Sequence, residues 1–141
     1  AQWGAAGAET YLESEKKPAD YIDAFKAENN VKAVNTLTPK WDDAASNEDK
    51  LGRIITQKWL AMYPEGGEAW AEQRRTGYPK LFPVLVNQSE GTVDTGIGPR
   101  RLNFFVGIKT TNPEQYTQLV NALGGAATCA TRLWWDTGRN F

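Results

Sequence analysis

Two carboxylates one helical turn apart, Glu68 and Glu72, stand beside two cations, Arg74 and Arg75, in the stretch PEGGEAWAEQRRTGYP. Paired acids suggest glycoside hydrolysis first. That chemistry needs two carboxyl groups facing each other across a sugar, roughly 5–10 Å apart. Acids at i and i+4 share one helix face instead. Beside two guanidinium groups they are expected to be ion-paired and ionised, which leaves neither as a general acid. The arginines themselves have two uses. They could hold an anionic ligand, or they could tie irregular segments together through backbone carbonyls and carboxylates, as planar bidentate guanidinium groups do. The second use is expected here, with Glu68, Glu72 and Asp136 as candidate partners. A second pair, Arg100–Arg101, poses the same question.

Indoles are the other chemistry-bearing set, at six per 141 residues. Trp59, Trp70, Trp134 and Trp135 could stack on sugars, but at helical spacing or beside a motif they are expected to be structural. Tandem Trp134–Trp135 point to opposite faces if that segment is extended. Trp135 is therefore the first sugar-stacking candidate. Trp41, in a polar loop, is the second, although that position is expected to plug the core. The remaining signals are weak. Asp42, Asp43 and Asp94 lack the alternating acids of a calcium loop. Gly66–Gly67 and Gly124–Gly125 read as turns without a phosphate-binding motif around them. Cys129 reads as a small core residue.

The chain has no histidine and one cysteine. Histidine-dependent triads, histidine zinc sites, cysteine metal clusters and intrachain disulfides are thereby excluded. The formal net charge of -1 does not suit a nucleic-acid reader. No metal or cofactor is expected. No stretch approaches a membrane span. The opening, AQWGAAGAETYL, has the composition of a helix interior, so the chain is expected to be a portion of something longer.

Several elements must position these residues. Residues 1–12 read as a helix with Trp3, Ala6, Tyr11 and Leu12 on one face. Pro18 suits a helix first turn, and Tyr21, Ile22 and Phe25 follow at helical spacing up to Asn29–Asn30. Residues 31–47 are irregular. The strongest helix signal covers about 47–63, where Leu51, Ile54, Ile55, Lys58, Trp59, Met62 and Tyr63 follow the i, i+3, i+4, i+7 template. Ser46 with Asp49 resembles a capping box, and Pro64 stops the helix. A short helix follows Gly67, with Glu68 and Arg74–Arg75 suited to its two ends and Gly77 as its cap. Residues 81–87 read as extended, 88–99 as a surface loop and LNFFV after Arg101 as extended. A last helix is expected over about 113–123, from Asn112-Pro113 to Gly124–Gly125, and then an extended aromatic tail.

Three motifs in order resemble a known family. ITQKWLAMYPEGGEAWAEQRRTGYPKLFPV is similar to the signature of SusD/RagB-type outer-membrane lipoproteins of Bacteroidetes. Arg100-Arg101-Leu102 resembles the family's later arginine element. Gly124-Gly125 followed by Thr131-Arg132-Leu133-Trp134-Trp135-Asp136 resembles its C-terminal signature. The chain departs from the pattern where Asn103-Phe104-Phe105 replaces Pro-Tyr-Pro, where Ile108 replaces a Glu, and where Ala126–Ala127 replaces an acid.

The resemblance implies a mainly α fold with long irregular loops and a few short strands, the C-terminal part of an α-rich, tetratricopeptide-containing architecture. On this reading residues 1–141 form one C-terminal segment, and the N-terminal repeat region lies outside the chain. The implied protein is a glycan- or nutrient-binding lipoprotein at the cell surface. It would be held to the outer membrane by a lipid anchor outside this chain, and would serve as lid partner of a SusC-like TonB-dependent transporter. Its ligand would be an oligosaccharide, with a peptide as the other choice. No enzyme activity is implied. Trp59, Trp70, Arg74, Arg75, Tyr78, Arg100, Arg101 and Trp134 would serve as structural motif residues, with Trp135 and Trp41 as ligand contacts. The alternative is a segment that only buttresses the repeat domain and the transporter contact. An exposed apolar patch is expected on the first helix and on the apolar side of the long helix of this piece.

Overall fold

The computed structural model describes residues 7–138, which fall into two compact units that divide between Phe82 and Pro83. The first unit holds α1 (Ala8–Leu12), a short 3-10 turn (Ala27–Asn29), α2 (Asn47–Ala61) and α3 (Gly66–Thr76). The second holds α4 (Ile108–Thr111) and α5 (Pro113–Leu123). The architecture is mainly helical. Among the described residues, strand pairing is confined to one antiparallel bridge between Tyr21 and Val31.

The three longer helices begin and end where their sequence chemistry stops and starts them. Ser46 Oγ accepts the Asp49 N–H at 3.0 Å at the start of α2. This satisfies one of the orphan donors of the first turn, while Glu48 and Asp49 sit at the positive end of the helix dipole. The C-terminal end of α3 carries Arg74 and Arg75 and closes on Gly77, whose φ of 74° is open to glycine without strain. Asn112 Oδ1 accepts the Gln115 N–H at 3.0 Å, Pro113 opens α5, and Gly124 closes it.

The helix expected over 18–30 does not form. Asp23 explains why. Its Oδ1 accepts the N–H groups of both Phe25 and Lys26 at 2.8 Å, and its own N–H donates to Asn30 Oδ1 at 2.8 Å. An aspartate that satisfies the next backbone donors offers the chain a turn in place of a helix. The loop so made brings Tyr21 and Val31 together through reciprocal backbone bonds. Ile22 and Phe25 are left 68% and 95% exposed, so their helical spacing does not report a buried face. The expected helix over 1–12 is present as α1 from Ala8; residues 1–6, with Trp3, lie outside the described residues.

Two further expectations change. The segments 81–87 and 102–106 are irregular and do not pair as strands among the described residues. Leu102, Phe105 and Val106 remain well exposed, and the chain then turns into α4, an element the sequence did not announce. Nor does Trp41 plug the core. It is about half-exposed, and its Nε1–H donates to Asp43 Oδ1 at 2.8 Å, which holds the ring over its own loop.

Each unit has a sparse apolar interior. Among the described residues the buried hydrophobic side chains are Ile55, in the first unit, and Cys129, in the second. Ile54, Leu60 and Tyr63 of the α2 region are exposed, in keeping with the expected apolar patch on that helix. α2 packs on α3, and α4 on α5.

Candidate functional site

In the first unit, α2 and α3 bring together most of the signature stretch. Lys58 on α2 lies 3.0 Å from Glu72 Oε1 and 3.5 Å from Glu68 Oε1 on α3. Arg75 reaches Glu72 Oε2 at 2.7 Å. Glu72 is thus held by two cations. Arg75 chiefly, with Lys58, keeps its carboxyl below the usual range against the opposing effect of burial. Arg74 stacks over the Trp70 ring at 4.3 Å, a contact that favours a cation near an aromatic face. A fully ionised, doubly paired Glu72 cannot donate a proton at neutral pH, so the acids of α3 are not arranged as a general acid and its partner.

Tyr78 locks this corner. A Cβ on Gly52 would lie 2.9 Å from Tyr78 Cε1 and 2.5 Å from Leu37 Cδ1, so α2 presents bare backbone to the tyrosine ring. Thr76, 1% exposed, donates its hydroxyl to Glu72 O at 2.7 Å and accepts the Tyr78 N–H. Burial, with Glu48 nearby, raises the Tyr78 pKa above that of an ordinary phenol. Trp59 and Trp70 are half-buried. Trp59, Met62, Tyr63 and Pro64 line an open apolar groove of 400 Å³ at the end of α2.

In the second unit, the other arginine pair is the most buried polar feature. Arg100 is 1% exposed, and its Nε and Nη2 meet Asp136 Oδ2 at 2.8 and 2.7 Å. Arg132 takes the other oxygen, Oδ1, at 2.7 Å. Burial works hardest on Asp136 and pushes its pKa up, but Arg100 and Arg132 together outweigh it and hold the carboxyl below the usual range. Sequence reasoning named Asp136 as a candidate for Arg74–Arg75; its carboxylate is engaged by Arg100 and Arg132.

Arg101, 5% exposed, behaves differently from its neighbour. It donates Nη1 to Leu102 O and lies 4.4 Å over the Phe104 ring, while its Nε and Nη2 are sealed without a hydrogen-bond partner. Phe104 in turn meets Tyr116 of α5 edge to face, with centroids 6.1 Å apart. Cys129 joins these parts. Its carbonyl accepts the N–H groups of Arg100 and Arg101, its N–H donates to Thr92 O, and its thiol donates to Asn103 Oδ1 at 3.2 Å. The role of Asn103 had no separate signal in the sequence.

Trp41 and Trp135 are 47% and 42% exposed, and Trp134 is 94% exposed. The tandem thus presents Trp134 more openly than Trp135. No cluster of acids, histidines or cysteines suited to a metal ion occurs among the described residues, and no helix there is long and apolar enough to cross a membrane.

A family model described as SusD-like, the SusD and RagB outer membrane lipoproteins, matches residues 1–136. The chain is similar to the crystal structure of a SusD homologue from Bacteroides vulgatus, with 56% identity and a TM-score of 0.86 over 99% of this chain and 28% of that one. It is 50% identical to a chitin-binding SusD homologue from Flavobacterium johnsoniae, again with a TM-score of 0.86, over 96% of this chain and 28% of that one. A SusD homologue from Bacteroides thetaiotaomicron is 40% identical, with a TM-score of 0.82, over 92% of this chain and 29% of that one. No curated protein matches. The chain therefore spans a little over a quarter of the length of these solved relatives. The chain belongs to the SusD-like family of outer-membrane lipoproteins.

Proposed function

We propose that this chain is the C-terminal segment of a surface lipoprotein that captures glycans, without chemistry of its own, as the lid partner of a SusC-like TonB-dependent transporter. The observation that carries the reading is the 50% identity, over 96% of the chain, to a homologue that binds chitin. Oligomers of N-acetylglucosamine are accordingly the first ligands to test. Trp41 and Trp135 are the proposed stacking residues; both keep ring surface open to a sugar, and stacking draws on aromatic faces of that kind. The anchor and the outer-membrane address belong to the longer protein.

A second reading is favoured by one specific observation. The most deeply buried polar side chains, Arg100 and Thr76, serve internal bonds within their own units. On this reading the segment is a buttress for the repeat domain and the transporter contact, and sugar contacts lie elsewhere in the protein. Isothermal titration of chitin oligomers separates the two. Under the first reading, replacing Trp41 or Trp135 by alanine in the longer protein weakens binding at least tenfold. Unchanged affinity in both variants returns the segment to a supporting role. Co-purification of the longer protein with its transporter tests the lid partnership.

A further inference from the structure

A cleft in the first unit has a mainly apolar lining, and its charged and amide side chains are hydrogen-bond donors with no carboxylate among them. It has a volume of 310 Å³ and lies where α1 and the loop after it meet α2. Arg53, Asn35, Gln57, Lys16 and Lys17 line it, and no carboxylate does. Arg53 has Nε and Nη1 sealed from solvent without a hydrogen-bond partner, so Nη2 is the donor it can offer to the cleft. Asn35 is 8% exposed, and its Oδ1 is already used by the Leu37 N–H at 3.0 Å. Its amide NH2 remains. Gln57 repeats the arrangement: Oε1 accepts the Tyr11 hydroxyl at 2.8 Å, which leaves the NH2. The nearest acid in sequence, Glu15, is taken by Lys40 at 2.8 Å. Lys16 and Lys17 stand exposed at the rim.

A partly buried guanidinium that lacks hydrogen bonds on two nitrogens is costly unless an anion offsets its charge. The bonds above leave the NH2 groups of both amides uncommitted, and both rim residues add positive charge. Charge-assisted bonds from a guanidinium and amide N–H groups suit a carboxylate, and the volume lies at the small end of ligand sites. We propose that this cleft binds the carboxylate of a small acidic ligand, with Arg53 as the principal cation. The identity of that ligand as a uronic acid rests on the reading of the chain as part of a glycan-capturing protein and calls for an acidic sugar in place of chitin; the choice of a carboxylate does not rest on that reading.

The test is an amide NMR titration of the protein with galacturonate, galactose and acetate, at ionic strength matched with sodium chloride because screening weakens such contacts. Galacturonate and acetate are expected to shift the amides of Leu37, Arg53 and Gln57, and galactose is not. Arg53→Gln should weaken galacturonate at least tenfold. The double variant Lys16→Gln/Lys17→Gln, at exposed positions, should weaken it several-fold while leaving the spectrum of the free protein in place. Silence with both acids, equal shifts with galactose, or wild-type affinity in both variants overturns the proposal. A protein that captures neutral glycans with a silent cleft overturns the cleft and leaves the glycan reading standing. A responsive cleft in a protein that captures no glycan supports the cleft and removes the uronic acid.

Discussion

Asp136 Oδ2 accepts two hydrogen bonds from one guanidinium, that of Arg100, at 2.8 and 2.7 Å across 36 positions of sequence. Both side chains are almost wholly removed from water, at 1% and 7% exposure. The second oxygen, Oδ1, is taken by Arg132. One carboxylate therefore anchors two cations of the second unit.

Asp136→Asn is expected to destabilise the second unit by about 3–5 kcal/mol, because it strands the Arg100 charge out of water. Urea unfolding of the variant checks this. A loss below about 1 kcal/mol would mean that solvent or a rearranged neighbour replaces the carboxylate.

The same carboxylate sets an acid limb. Its folded pKa lies below the ordinary aspartate value of 3.8, and that of Glu72 lies below the ordinary glutamate value of 4.5. A depressed folded pKa means that the unfolded chain binds protons first. The stabilisation is complete above those ordinary values and is lost as pH falls through the folded ones. Stability of the native protein should therefore be level near neutrality and drop below the ordinary carboxylate values. The slope should be shallower in Asp136→Asn. An equally steep acid limb in that variant would assign the effect to other carboxylates.

Arg101→Met should be neutral or stabilising, by up to about 1–2 kcal/mol. The native guanidinium leaves Nε and Nη2 buried without hydrogen bonds, and an apolar stem of similar volume removes that cost while keeping contact with Phe104. Arg100→Met should be destabilising, since Asp136 would keep only Arg132. Thermal melts of the two variants side by side test the contrast; equal losses would show that both arginines are needed as charges.

Gly52→Ala should cost about 1–3 kcal/mol through overpacking, although alanine is the better helix former by roughly 1 kcal/mol. The new Cβ meets Leu37 and Tyr78 at under 3.0 Å. Gly67→Ala is the control: its Cβ meets nothing within 4 Å, and the substitution should stabilise α3 by up to about 1 kcal/mol. Denaturant midpoints of the two variants should move in opposite directions.

Sequence alone determined the helices whose ends are written in neighbouring residues. Ser46 and Asp49 start α2, Gly77 closes α3, and Asn112-Pro113 and Gly124 frame α5. These are interactions over three or four positions, and residue type is enough to read them. The family was legible for a similar reason, since its motifs are contiguous runs. The loop at 18–30 was misread because helical spacing of Tyr21, Ile22 and Phe25 is weak evidence beside an aspartate that can serve the same backbone donors itself. Only the tertiary structure decided that Asp136 belongs to Arg100, that Arg101 stays unpaired by any acid among the described residues, and that Trp134 is the open indole of its tandem. Partner choice and exposure depend on what distant segments bring into reach, and spacing along the chain carries no record of that distance.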